Sequence, residues 1–206
     1  MRFLLLACSI LALLTGCSAS MGKLSRDEGR KAPVVYINPL KNVYSRATVA
    51  VLPFQVPDGR QQVFGDQVAA LFRDVLLGKR SFPLVKLVDQ QYGNMAEAVQ
   101  AGKSAGADLV LAGRINYVVP GTELGGARVD VSIRILNTST GNTVWYVRQA
   151  CEHPWDYPDN SFISRLVSTL IIDDPREPLS GKAVPELLAR VAVDMADVVA
   201  GHRYLN

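Results

Sequence analysis

Histidine and cysteine are scarce in this chain of 206 residues, with two of the first and three of the second. That scarcity excludes most metal sites. His153 sits beside Glu152 and Cys151, but neighbours on an extended strand point to alternate faces, and only His202 remains to complete a ligand set. No serine lies in a Ser-His-Asp pattern. No glycine-rich phosphate loop follows the first strand, where Pro53-Phe54-Gln55-Val56-Pro57 stands instead. Catalysis, cofactors and metals are therefore not expected. Charge of one sign is also missing: 22 Lys and Arg against 19 Asp and Glu leave a net +3. The charges are interspersed, with no basic block interleaved with aromatics, which argues against nucleic acid as a partner. No apolar run reaches the length of a membrane-spanning helix.

The N-terminal stretch is distinctive. Arg2 precedes an apolar run from Phe3 to Leu14, too short for a spanning helix but suited to a signal peptide. The run ends in Leu14-Thr15-Gly16-Cys17, which resembles the site at which bacterial lipoproteins are cut and lipidated. The resemblance implies a signal peptide over 1–16 and a Cys17 diacylated on sulfur and acylated on its new amino group. An ordinary signal peptide with a chance cysteine is the plainer alternative. Each buried methylene contributes about 0.8 kcal/mol, so several acyl chains hold a protein on a membrane where one would be marginal. Ser18, rather than aspartate, follows the cysteine and resembles an outer-membrane address, giving a lipid-anchored protein on the periplasmic face. Losing 16 of 206 residues leaves 190, enough for one domain with a proper core. Cys8 would leave with the signal and Cys17 would carry lipid, so Cys151 has no partner for an intrachain disulfide.

Residues 17–46 are polar and poor in core residues, and read as a tether spanning roughly 30 Å as a coil of about 30 residues. Within it, Pro33-Val34-Val35-Tyr36-Ile37 forms a short extended piece. The folded domain, 47–206, opens with the β-branched run Thr48 to Phe54, a buried strand. Val63, Phe64, Val68, Leu71, Phe72, Val75 and Leu76 recur at helical spacing, predicting a helix from about Gln61 to Leu77. Leu84 to Val88 is a second strand. Asn94-Met95-Ala96-Glu97 has the form of a capping box and Gly106 closes the helix it opens. Asp108 to Val119 is a strand. Arg128 to Leu136 alternates, with Val129, Val131, Ile133 and Ile135 on a dry face and Arg128, Asp130, Ser132 and Arg134 on a wet one. Thr143 to Cys151 returns after a hairpin loop. A helical insertion over about 157–181 precedes a last helix carrying Leu187, Leu188, Val191, Met195, Val198 and Val199 on one face.

Val49-Ala50-Val51-Leu52-Pro53-Phe54, Gly106-Ala107-Asp108-Leu109-Val110-Leu111-Ala112-Gly113-Arg114 and Val131 to Leu136 with Thr140-Gly141-Asn142-Thr143-Val144-Trp145 resemble three pieces of one domain family. The family comprises the curli secretion lipoprotein CsgG, the N-terminal domain of TolB, the wall-synthase activator LpoB and the polysaccharide-export lipoprotein PelC. The resemblance implies an α/β fold ordered β-α-β-α-β-β-β-α, a mixed sheet of about five strands with helices packed on it, behind the signal peptide and tether. It also implies a non-catalytic domain that builds or regulates an envelope machine, often as a homo-oligomeric ring. CsgG's spanning hairpins have no counterpart, since connections such as Pro120 to Gly126 are too short for strands of about 10 residues. The short tether and a second tryptophan after Trp145 resemble PelC most.

Three features are candidate contacts. Trp155, with Tyr157 beside it among prolines, either meets a membrane or partner or simply covers a loop. The stripe with Phe162, Leu166 and Leu170 is either core or an oligomer or partner contact. Arg128, Asp130 and Arg134 are solvated by default and suit a subunit interface in a ring. The sequence thus reads as a ring-forming assembly or export accessory of other envelope proteins, with an LpoB-like synthase activator and a flagellar or other secretion ring element as alternatives.

Overall fold

Local sequence explains each element of the computed structural model, which describes residues 31–39, 43–56, 62–120, 126–152 and 183–201. Strand β1 is Val34–Ile37, β2 Thr48–Val51, β3 Leu84–Leu87, β4 Leu109–Val119, β5 Arg128–Asn137 and β6 Thr143–Glu152. Helix α1 is Gln62–Gly78, α2 Met95–Ser104 and α3 Ala183–Val199. The six strands form one sheet in the order β1-β6-β5-β4-β2-β3. Strands β2, β3 and β4 run parallel, while β4, β5, β6 and β1 form an antiparallel half. The expected α/β fold is present, and the sheet gains a sixth strand because the extended piece at Val34–Ile37 pairs with β6.

Two of the described helices cover one side. Helices α1 and α3 pack against each other and on the face carrying Val49, Val51, Leu109, Leu111, Ile133, Ile135 and Val147. Helix α3 is buried on more than the single stripe expected, with Ala189, Ala192, Asp194 and Ala196 also shielded, because α1 takes one flank and the sheet another. Val63, assigned to the α1 stripe from its spacing, is exposed instead. Trp145 lies in this layer, edge-on to Phe82 and tilted against Tyr44. Cys151 is buried there.

Helix α2 covers the other side over the parallel strands, with Ala98 and Ala101 against Ala50, Val110 and Leu136. It approaches closely because Gly102 has no side chain: a Cβ there would stand 2.8 Å from atoms of Val110 and Thr138. Asn94 Oδ1 accepts from the Glu97 N–H at 3.0 Å, and the Glu97 carboxylate accepts from the Gly93 N–H at 2.6 Å, so the capping box closes one residue earlier than usual. Gly106 ends the helix at φ +63°, a conformation that favours glycine.

The three pieces behind the family resemblance are structural. Asp108 accepts from the Thr48 N–H at 2.8 Å and ties the start of β2 to β4. Thr138 donates to the Ala107 carbonyl at 2.6 Å and anchors the β5–β6 hairpin beneath α2. The chain after β2 continues beside β4, Gln55 N–H donating to Gly113 O at 2.9 Å, and the Phe54 ring lies over Gly113, where any Cβ would collide with it.

Candidate interaction face

Helix α2 spans only part of its side of the sheet. Over the antiparallel half, no described helix covers the face, and alternation along the strands decides what it displays. Strand β5 contributes Arg128, Asp130, Ser132 and Arg134. Strand β6 contributes Tyr146, Arg148 and Glu152, opposite them in register. Strand β4 contributes Asn116 and Tyr117 at a bulge between Ile115 and Tyr117. Strand β1 contributes Tyr36.

The sequence-predicted trio comes together here, with a difference. Asp130 is expected on a wet face, yet it is only 4% exposed. Its neighbours fold over it. Arg148 donates through Nε at 2.9 Å and through Nη2 at 2.7 Å, and Asn116 Nδ2 donates at 2.7 Å. Burial by itself would raise the Asp130 pKa, but the hydrogen bonds from Arg148 and Asn116 and the charges of Arg148 and Arg128 outweigh it, holding the carboxyl below its ordinary value. The same pairing pushes the Arg148 pKa up.

The other two members stack. Arg128 reaches Glu152 at 3.0 Å and lies 5.3 Å from the Tyr117 ring centre. Arg134 lies 4.4 Å over Tyr146, whose ring stacks on Tyr36 at 4.7 Å. The face is therefore a sheet of cross-strand ion pairs and arginine-tyrosine stacks, chemistry suited to contacting a partner surface. Among the described residues, no three of His, Cys, Asp and Glu gather around one point as metal ligands would. No described helix is long and apolar enough to cross a membrane.

Sequence reading missed Tyr36, Asn116, Tyr117, Tyr146 and Arg148. The signal was the alternation of β6, where Trp145, Val147 and Cys151 face the core and Tyr146, Arg148 and Glu152 do not. Cys17, Trp155, Tyr157, Phe162, Leu166 and Leu170 lie outside the described residues, as do the signal peptide and the 157–181 insertion.

Among solved structures, the PelC dodecamer from Paraburkholderia phytofirmans superposes with a TM-score of 0.52 at 17% identity, over 80% of this chain and 97% of that one. The fold is similar to that of PelC. Smaller overlaps occur with lipoprotein GNA1162 from Neisseria meningitidis (TM-score 0.39, 14% identity, 61% and 94% of the two chains) and the LpoB C-terminal domain from Escherichia coli (0.35, 13%, 52% and 84%). No protein-family model and no curated protein sequence matches the chain.

Proposed function

We propose that this protein is a non-catalytic scaffold of the bacterial outer membrane, held on the periplasmic side by lipid on Cys17, whose copies close into a ring serving an export machine of the envelope. The observation that carries the reading is the fold it shares with PelC, whose crystal is described as a dodecamer, over 80% of the chain. The sheet face that no described helix covers supports it: Arg128, Asp130 and Arg134 sit on a broad surface of paired charges and stacked rings, the form of a protein contact. In this reading Trp155, Tyr157, Phe162, Leu166 and Leu170 meet the membrane or a neighbouring envelope component. The ring gives the export apparatus its shape, and the lipid fixes where it assembles.

Light scattering on the full lipidated protein in detergent, followed by electron microscopy, tests this proposal. A defined oligomer with a closed outline is the expected result. A strict monomer at micromolar concentration refutes it. Trp155→Ala should weaken membrane or partner association without lowering the melting temperature, which flotation with lipid vesicles and thermal unfolding measure together.

A further inference from the structure

Among the described residues, both ends of the sheet are bare. Strand β1 pairs only with β6 and β3 only with β2 among the described residues, so each offers one unpaired row of N–H and C=O groups. Sheet edges are ordinarily guarded by outward charges, yet these two carry apolar side chains. Val34, Tyr36 and Ile37 on β1 and Leu84 and Leu87 on β3 are each 41–55% exposed, and these five make up most of the large hydrophobic residues exposed on the described surface. The one charge on either strand, Lys86, turns its ammonium to the Ala105 carbonyl at the end of α2, 3.2 Å away.

We propose that β1 of one copy pairs with β3 of the next, so that a second copy of this chain continues the sheet. The proposal rests on the ring reading above and names its contact. Strand direction favours it. Strands β4, β2 and β3 run one way, β5 the other, β6 with β4, and β1 opposite to β6, so β1 and β3 point in opposite directions at the two edges. Copies related by a small rotation keep those directions, and the two edges meet antiparallel. The faces match as well. Val34 lies opposite Arg148 and Tyr36 stacks on Tyr146, on the side of the sheet to which Lys86 turns. Val35 and Val85 both pack into the core layer on the other side. A register placing Val35 opposite Val85 and Val34 opposite Lys86 keeps these side chains on their own faces, up to the bulge between Val35 and Ile37, and a one-residue slip would not. Pairing β1 with β1 about a two-fold axis would leave the apolar β3 edge uncovered; head-to-tail pairing covers both.

Disulfide trapping in the full lipidated protein tests this. Val34→Cys with Lys86→Cys samples the stated register, and Tyr36→Cys with Lys86→Cys samples its two-residue shift; each single variant serves as a control for the native cysteines. The expected result is a ladder of species larger than dimer on a non-reducing gel in one of the double variants, absent from all the singles and collapsed by reductant. A ladder requires each copy to use both edges. Dimers alone, or no crosslink in a protein that light scattering finds oligomeric, overturn the edge pairing and leave the ring reading standing. A monomeric wild type overturns both. Val34→Lys, which places a charge on the edge without touching the core, should dissociate the oligomer into folded monomers whose far-UV circular dichroism is unchanged; an undiminished mass would count against the proposal.

Discussion

Asp130→Asn removes one negative charge from the sheet face while keeping the side chain's shape. The carboxylate accepts from Arg148 Nε on both oxygens at 2.9 and 3.2 Å, from Arg148 Nη2 at 2.7 Å and from Asn116 Nδ2 at 2.7 Å. A hydrogen bond to a charged group contributes about 1.5–3 kcal/mol when well shielded. Here the Arg148 side chain is 46% exposed, so water screens the pair and the figure must be lowered. A loss of about 1–2 kcal/mol remains, which for a domain of this size lowers the melting temperature by about 2–8 °C. The pH dependence follows from the depressed pKa of Asp130. A carboxyl held below its unfolded value adds stability above the unfolded pKa and loses it as the pH falls through the folded one. The gap between wild type and variant should therefore be full near neutrality and vanish in strong acid. Urea unfolding of both proteins across that range measures it, and a double-mutant cycle with Arg148→Gln should return a coupling of about 1 kcal/mol that shrinks as salt is added. Equal urea midpoints at neutral pH would refute the assignment of the buried pair as a stabilising contact.

Other substitutions probe the layers beneath. Gly102→Ala drives a methyl into Val110 and Thr138 and should cost about 1–3 kcal/mol in thermal unfolding, although alanine is the better helix former. Tyr92→Phe removes the buried hydroxyl that donates to Gly113 O at 2.7 Å and should cost about 1 kcal/mol by urea titration. Burial pushes the Tyr92 phenol well above its ordinary range, so spectrophotometric alkaline titration of the folded protein should find this ring silent where exposed tyrosines ionise. Gln149→Leu deletes a buried donor to Asp194 Oδ2 at 2.8 Å and to the Lys31 carbonyl at 2.9 Å; a loss of about 1–3 kcal/mol is expected in the same assay, accompanied by loosening of the segment before β1 in hydrogen exchange.

Sequence alone determined the elements whose cause is local. The spacing of Phe64, Val68, Phe72 and Val75 specifies α1 because burial needs one apolar side, and the alternation of Val129, Val131, Ile133 and Ile135 specifies the dry face of β5 for the same reason. Asn94 and Glu97 mark the start of α2, and Gly106 its end, because orphan backbone groups and a positive φ each require particular residue types. Tertiary structure decided what depends on partners far along the chain. Nothing in Val34–Ile37 names β6 as its neighbour more than a hundred residues away, so its place as an edge strand emerges only when the sheet is assembled. Asp130 looks like a solvated residue in its own strand; only Arg148 from β6 and Asn116 from β4, brought across the ladder, bury and pair it. The two edges left unpaired among the described residues are likewise a property of strand order, which no single segment encodes, because pairing energy is shared between strands and becomes definite only when each has found its neighbours.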